Sequence, residues 1–570
     1  MKKQVYIIAI IAFVLSLGGC DDFLDEKPVA QETTDSFLSD PATTEAHFEQ
    51  MLHAAYSVFT ISEATWRSNR HWFENMISDW LSDDAQKGGN GTGDMGEMLD
   101  MRSWSAAPQA TTTSHYGTPW LVGYLGANRA NTILVLLEDY KSNLSTSAYN
   151  RIKGECLFLR GYFYFLLAKV FGSVPYYSEP VTTNEYYDQP KMSPEELYSA
   201  IEADLSEAVN LVPEKGNWGD IWDGGRATKG AVRAVLARVI TMEIGFGLNG
   251  KTWQDVYDQT SAIRSSGKYT LLPNYAMIFE DEGEMGTESV FEVPCADLGS
   301  GTYGAPGGNM EQRMTTLRPD GDLHYGPNTP TGGWGFSTPT QDLFNQFEPG
   351  DFRRQCTIID SGDVFLGDMI PTRVADICPT GYWFRKYAAP DPRTNTTGDK
   401  NYRVVRYAEV LLTHAEAAYH LGLTSEAFEA LNEVRERAQT STGPKGSILG
   451  EIDTYPTEVS TLAPLNPSLS GQDLLDAIRH ERRVELGVEG QRSWDLIRWG
   501  EFEDALRNSI IPDDYFLGSL SPDAIVDNYR SHLMNAQGTH TGTTEDVIPG
   551  LPIPSDEVEN YGIEQNPGYE

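Results

Sequence analysis

Residues 407–438 read YAEVLLTHAEAAYHLGLTSEAFEALNEVRERA. Apolar residues recur here at the spacing that gathers them on one helix face. They are Ala408, Leu411, Leu412, Ala415, Ala418 and Tyr419, then Ala427, Ala430, Leu431, Val434 and Ala438. Gly422 separates the two runs, where a residue without Cβ lets a helix end. Small residues where two helices cross, a Gly turn and a unit of about 34 residues match a tetratricopeptide repeat. A lone helical hairpin would show the same pattern, but further pairs at 117–170 and 194–244 favour an array, though with irregular spacing. The expected fold is mostly α: a tetratricopeptide-like helical-repeat scaffold with long loops and a few short β-strands.

Outward from that pair, Trp120 to Leu137 carries apolar residues at i, i+4 and i+8. Tyr149 to Val170 continues through Ile152, Cys156, Leu159, Phe163 and Leu167 until Phe171-Gly172-Ser173-Val174-Pro175 stops it. Ser193 as N-cap and Pro194 as first helical residue open a helix to Leu211. Further helices are expected at about 227–244, 252–266, 402–421, 424–439, 471–487 and 493–508. Between about 280 and 400, Gly, Pro, Thr and Asp rise, with strand-like runs at Ser289–Val293 and Tyr382–Tyr387; residues 61–118 have the same character. Loop-rich stretches of that length usually carry function. The two read as facing lobes on one helical support.

A chain of 570 residues could hold three or four domains of about 150 each, or one large one. Lys and Arg number 43 against 82 Asp and Glu, a formal charge of −39. Nucleic-acid binding rests on cations that release counterions from phosphates, so this balance excludes it. The same balance argues against polybasic attachment to anionic lipid.

Lys2 and Lys3 precede an apolar run, Val5 to Leu17, that ends in Leu17-Gly18-Gly19-Cys20. The run is too short for a bilayer core, which needs roughly 20 residues, and reads as a secretory signal. The small residues before Cys20 resemble a bacterial lipobox, which implies lipidation of that thiol; an ordinary signal peptide with a coincidental cysteine is the alternative. Residues 1–19 are then a signal peptide, 20–40 a lipidated extended tether, and 41–570 a single helical domain. Within it, an N-terminal part covers about 41–230 and a C-terminal part about 280–570. The acidic run Asp21 to Glu26 resembles the surface-export tag of Bacteroidota-type lipoproteins. Cys156, Cys295, Cys356 and Cys378 remain, without metal-ligand spacing. Export permits a Cys356–Cys378 disulfide; free buried thiols are the alternative, and Cys156 sits in an apolar helical stretch.

Gly91-Thr92-Gly93-Asp94-Met95-Gly96 satisfies GxGxxG, but no buried strand precedes it, so it reads as a polar loop. His480-Glu481-Arg482-Arg483-Val484 lacks the second histidine of a zinc helix. No cofactor is expected and no metal is assigned; a calcium ion on Asp-rich loops such as Asp320-Gly321-Asp322 stays open, without a calcium-loop spacing to claim it. Paired glycosidase carboxylates are assembled by the fold rather than by spacing, so a hydrolase stays open.

Aromatic side chains in the loops stand out. Trp66, Trp72, Trp80 and Trp104 lie in the first region, and Tyr303, Tyr325 and Trp334 in the second. Trp334 sits in Thr331-Gly332-Gly333-Trp334-Gly335, where glycines expose the ring. Core packing is the alternative for Trp66, Trp72 and Trp80. Flat rings stacking on sugar faces, with Asp83, Asn309, Arg313 and Asp322 bonding hydroxyls, would form an oligosaccharide platform; the same groups could hold a peptide.

Several stretches are similar to a known family: IKGECLFLRGY at 152–162 leading into FGSVP at 171–175, RYAEVLL at 406–412, IRHERRVEL at 478–486 followed by EGQRSWDLIRW at 489–499, and Pro552-Ile553-Pro554 with Glu557 and Asn560. They resemble the SusD-like (RagB/SusD) family of surface nutrient-binding lipoproteins. The resemblance implies a mostly helical protein held by lipid at the outer membrane over a SusC-like TonB-dependent transporter. Its helical side would dock on the transporter and its loop side would meet the ligand. It implies binding rather than turnover, and no catalytic residue. On the residues alone, Arg482 with Glu485 and Arg492 with Asp495 can pair along helix faces, beside Trp494 and Trp499, as a structural clasp.

Overall fold

A computed structural model describes residues 37–60, 71–91, 93–105, 117–181, 190–216, 225–296, 307–318, 333–370, 378–388, 398–509 and 521–569. Its longer helices are α1 (Thr44–Tyr56), α2 (His71–Leu81), α3 (Gly117–Asp139), α4 (Thr146–Phe171), α5 (Pro194–Leu211), α6 (Lys229–Phe246), α7 (Trp253–Ser265), α8 (Tyr407–His420), α9 (Thr424–Thr440), α10 (Gly471–Glu485) and α11 (Arg492–Trp499). Short strands accompany them, among them β1 (Ala85–Lys87), β2 (Ser289–Val293), β3 (Ser337–Pro339) and β4 (Tyr402–Arg406). The helix starts follow the sequence signals. Ser193 and Glu196 close a capping box ahead of Pro194, while Ser145 and Thr228 each accept from the third backbone N–H beyond.

From α3 to α10 the helices pack in succession: α3 on α4, α4 on α5, α5 on α6, α6 on α7, and α8 on both α9 and α10. The step from α7 to α8 is direct in space, although α7 ends at Ser265 and α8 begins at Tyr407. Thr260 of α7 bonds His414 of α8 at 2.9 Å, and Trp253 stacks on His420 with centroids 4.2 Å apart. The tetratricopeptide-like array is interrupted in sequence and continuous in space. Close approach is built into the first pair: a Cβ on Gly126 of α3 would lie 2.2 Å from the Phe163 ring of α4.

Three boundaries differ from the sequence reading. Tyr402–Arg406, expected as the start of a helix, is β4, antiparallel to β2 with Tyr402 opposite Val293. All five of its residues are buried, so neither the alternation of a half-exposed strand nor a helical stripe is legible. The expected helix 493–508 breaks at Gly500, whose φ of 71° ends α11, and resumes at Phe502–Asn508. Of Tyr382–Tyr387, only Trp383–Phe384 forms a strand, paired with Ile358–Ile359. The four cysteines are free thiols: Cys156, Cys356 and Cys378 are buried and Cys295 is partly so.

The segment 478–489 is the hub of a buried charge cluster. Glu481 and Glu485 of α10 are fully buried, and so is Arg353. Arg406, at the junction of β4 and α8, bonds Glu288 at 2.8 Å, Glu485 at 2.9 Å and Glu489 at 2.8 Å. Arg353 bonds Glu481 at 2.5 Å and Glu485 at 3.2 Å, Arg437 of α9 reaches Glu288 and Glu485, and Lys386 reaches Glu489 at 2.6 Å. The clasp therefore exists, but not through the expected neighbours. Arg482 pairs with Asp495 at 2.6 Å rather than with Glu485, and Arg492 pairs with Asp83 at 2.8 Å rather than with Asp495. One helical neighbour supplies one contact, whereas a buried charge needs its remaining positions satisfied from other elements.

Burial alone would raise the Glu485 carboxyl, but Arg437, Arg406 and Arg353 drive it far below the ordinary carboxylate range. The unfolded chain then takes up the proton first as pH falls. This contribution is complete above about pH 4.3, the unfolded glutamate value, and is lost on acidification. Glu485→Gln should cost about 3–5 kcal/mol at pH 7, the scale for breaking a buried pair, and should show a smaller acid-induced loss than the parent. Urea unfolding at pH 7 and pH 4 measures both; a loss below about 1 kcal/mol at pH 7 would assign the cluster no such role.

Candidate functional site

The two loop-rich segments are sewn together by one antiparallel pair, β1 with β3, in the register Ala85 opposite Pro339 and Lys87 opposite Ser337. The pairing runs on beyond the strands: Gly88 N–H donates to Phe336 O at 2.7 Å and Gly89 N–H to Gly335 O at 2.8 Å. A Cβ at Gly88 would sit 2.0 Å from Gly335 O, so the crossing requires glycine. This seam carries the 88–96 loop to Trp334.

Trp334 is half-buried, and its N–H donates to Arg313 O at 2.8 Å. The Arg313 guanidinium lies 5.4 Å from the ring centroid, and Phe336 meets the ring edge-on at 6.0 Å. Arg318 Nη1 donates to Trp334 O at 3.3 Å and to Asp94 Oδ2 at 3.1 Å; the same carboxylate accepts from Asn90 N–H at 2.8 Å. Lys87 Nζ donates to Gly91 O at 2.8 Å. Burial pushes the Lys87 ammonium down to about 8, against the opposing pull of Asp94 and with Arg318 adding to the drop. A flat ring beside the Arg313 guanidinium, with Arg318 and Asp94 linked to its backbone, suits a ligand with apolar faces and many hydroxyls, while Lys87 is fully buried.

The structure gathers only part of the expected platform. Trp334 and Arg313 come together as one unit. Trp80 and Trp104 are each 1% exposed; Trp104 is wedged against Phe502 and Tyr529, so both rings pack the core instead of facing a ligand. Asp83 is buried, bonding Arg492 at 2.8 Å and Arg483 at 3.0 Å, and pins the first loop segment to α10 and α11. Asn309 is fully buried and staples two loops, its Nδ2 donating to Lys400 O at 2.9 Å and its N–H to Gly398 O at 2.8 Å. The side chain of Trp72 and residues Cys20, Trp66, Tyr303, Asp320, Asp322 and Tyr325 lie outside the described residues. Lys87, Asp94 and Arg318 went unnoticed in the sequence, where only the strand pairing could have brought 87–94 to 318–334. The one local signal was the glycine-rich stretch itself, read as a polar loop.

Two protein-family descriptions match this chain. The SusD family matches residues 372–569, and the family described as starch-binding associating with outer membrane matches residues 22–241. SusD-like protein P2 of Formosa agariphila is 24% identical over 568 residues, spanning 97% of this chain and 100% of the relative. Among solved structures, surface glycan-binding protein A from Bacteroides fluxus aligns with a TM-score of 0.69 at 25% identity, over 92% of this chain and 100% of that one. A laminarin-binding SusD-like protein aligns with a TM-score of 0.66 at 25% identity, over 92% of this chain and 99% of that one. Arg313, Arg318 and Trp334 fall between the two matched segments.

Burial would raise the Asp83 carboxyl, but Arg483 and Arg492 bring it down to about 2. Its stabilising contribution is therefore whole above about pH 3.9, the unfolded aspartate value, and fades as pH falls toward 2. Asp83→Asn is expected to lower stability by about 3 kcal/mol at pH 7 while leaving ligand affinity within about twofold. Thermal unfolding beside calorimetry checks this; lost affinity in a stable variant would return Asp83 to the ligand.

Proposed function

This chain belongs to the SusD family, and from that premise we propose that it captures an oligosaccharide at the cell surface and delivers it, uncleaved, to a SusC-like TonB-dependent outer-membrane transporter. The observation that carries the reading is the half-buried Trp334 ring, flanked by Arg313, Arg318 and Asp94 at the seam between the two loop-rich segments. The glycan named for the laminarin-binding relative supports the ligand class. A Trp ring offers a flat face to the C–H side of a pyranose, and the charged groups around it bond hydroxyls.

Location follows the N-terminus: lipid on Cys20 holds the protein at the outer membrane, facing the exterior. Tethering beside a pore raises the local ligand concentration without any chemistry. Burial raises the Asp79 and Glu311 carboxyls well above the ordinary carboxylate range, and both are sealed at about 1% exposure, where no glycosidic bond can reach them. They lend the hydrolase alternative no support.

Calorimetry of the purified protein over a glycan panel, with chromatography of the recovered ligand, tests the reading. Binding with intact ligand is expected; products accumulating over many turnovers would replace it with hydrolysis. Trp334→Ala should weaken binding by about 1–3 kcal/mol without lowering the melting temperature. Unchanged affinity with a lowered melting temperature would make the ring a core residue. Cys20→Ser should move the protein from the membrane to the soluble fraction on cell fractionation, and continued membrane association would refute the lipid anchor.

A further inference from the structure

Two residues beyond Trp383, whose ring packs against Gly335 beside Trp334, the chain places a guanidinium in an unusual setting. Arg385 is 7% exposed. Its Nη1 donates to Val364 O at 3.0 Å and its Nη2 to Lys445 O at 2.9 Å, and its guanidinium lies 5.1 Å from the Phe365 ring centroid. Arg353, Arg406 and Arg437 in the neighbouring cluster all meet carboxylates. Arg385 meets carbonyls only: among the described residues no carboxylate lies within ion-pair distance of it. Carbonyl dipoles offset only part of the cost of burying a full charge.

Arg385 also opens onto space. It lines a cavity of about 160 Å³ together with Phe279, Phe365, Leu366, Lys400 and Lys445. That is room for several waters or for one small oxoanion group. The wall carries four cations, Arg385, Lys386, Lys400 and Lys445, against two acids, Glu280 and Asp453. The lysines have partners: Lys386 bonds Glu489 at 2.6 Å, Lys400 bonds Glu280 at 3.4 Å, and Lys445 bonds both Asp453 at 3.0 Å and Glu282 at 3.1 Å. Arg385 is then the cation of this wall that no carboxylate among the described residues bonds directly, although Glu280 and Asp363 act on it from farther off. Apolar walls on several sides strengthen any electrostatic contact made there. Burial holds the Arg385 guanidinium down to about 10, still charged at neutral pH.

We propose that this cavity binds an oxoanion, a carboxylate or sulfate group, on Arg385. The planar fork of a guanidinium matches either group with parallel N–H···O bonds. Two sources carry that chemistry: a free anion, or the acidic substituent of a bound sugar. Only the second source rests on the glycan-binding reading; the anion site itself does not.

The test uses the purified full-length protein and defined probes. Sodium sulfate is compared with sodium chloride at equal ionic strength, and methyl glucuronide with methyl glucoside, by calorimetry and thermal shift. Saturable sulfate binding is expected, absent for chloride, and lost at least tenfold in Arg385→Gln. Because Arg385 also holds two carbonyls, a second variant, Ala388→Leu, fills the cavity from another wall residue and should abolish binding with Arg385 intact. Trp334→Ala should leave sulfate binding unchanged, which separates this site from the glycan reading. Glucuronide binding at least tenfold tighter than glucoside would assign the site to acidic sugars; sulfate binding alone would assign it to a free anion. No saturable oxoanion binding, or binding that survives Ala388→Leu, overturns the proposal.

Discussion

The cluster of Arg353, Arg406 and Arg437 around Glu288, Glu481, Glu485 and Glu489 is the constraint on which the rest of the molecule depends. Charges taken out of water are tolerated only when each finds partners from several directions. Here the partners come from β4, α9, α10 and the loops around 288, 351–353 and 386, elements far apart in the chain. Hydrophobic contact alone would let a loop-rich segment slide over a helical array. A set of interlocked guanidiniums and carboxylates admits one arrangement, and Arg483 and Arg492 extend it to Asp83 and Asp84 of the first loop segment. The cluster thus fixes both lobes on one support and holds β1 where β3 can pair with it.

How legible this was depended on range. Helices showed wherever one face is apolar and the other wet, as in α9, where Ala427, Ala430, Leu431 and Val434 are buried between exposed charges. Period failed where burial is uniform, as in β4. The charged motif at 478–499 was legible as structural, but its partners were not, because pairing across hundreds of residues leaves no spacing to read. Trp334 and Arg313 were singled out for glycine exposure and chemistry and do stand together. Trp80 and Trp104 carried the same chemistry and are core, since sequence does not say which side of a loop faces the protein. Asp94 and Arg318 became neighbours only through the β1–β3 seam.

Division of labour follows the same line. The matched family segments, 22–241 and 372–569, contain most of the repeat helices and the 478–489 part of the charge cluster, while Glu288 and Arg353 of that cluster, with Arg313, Arg318 and Trp334, lie between them. The array is unbroken because α7 packs directly on α8. Such an arrangement lets loops vary in chemistry while the support keeps its shape.

A structure of the protein with a bound oligosaccharide tests the central claim most directly. The account predicts intact sugar at the β1–β3 seam, one ring against Trp334 and hydroxyls within hydrogen-bond distance of Asp94, Arg313 or Arg318. Sugar bound on the helical side, or cleaved product in a pocket remote from Trp334, would contradict it.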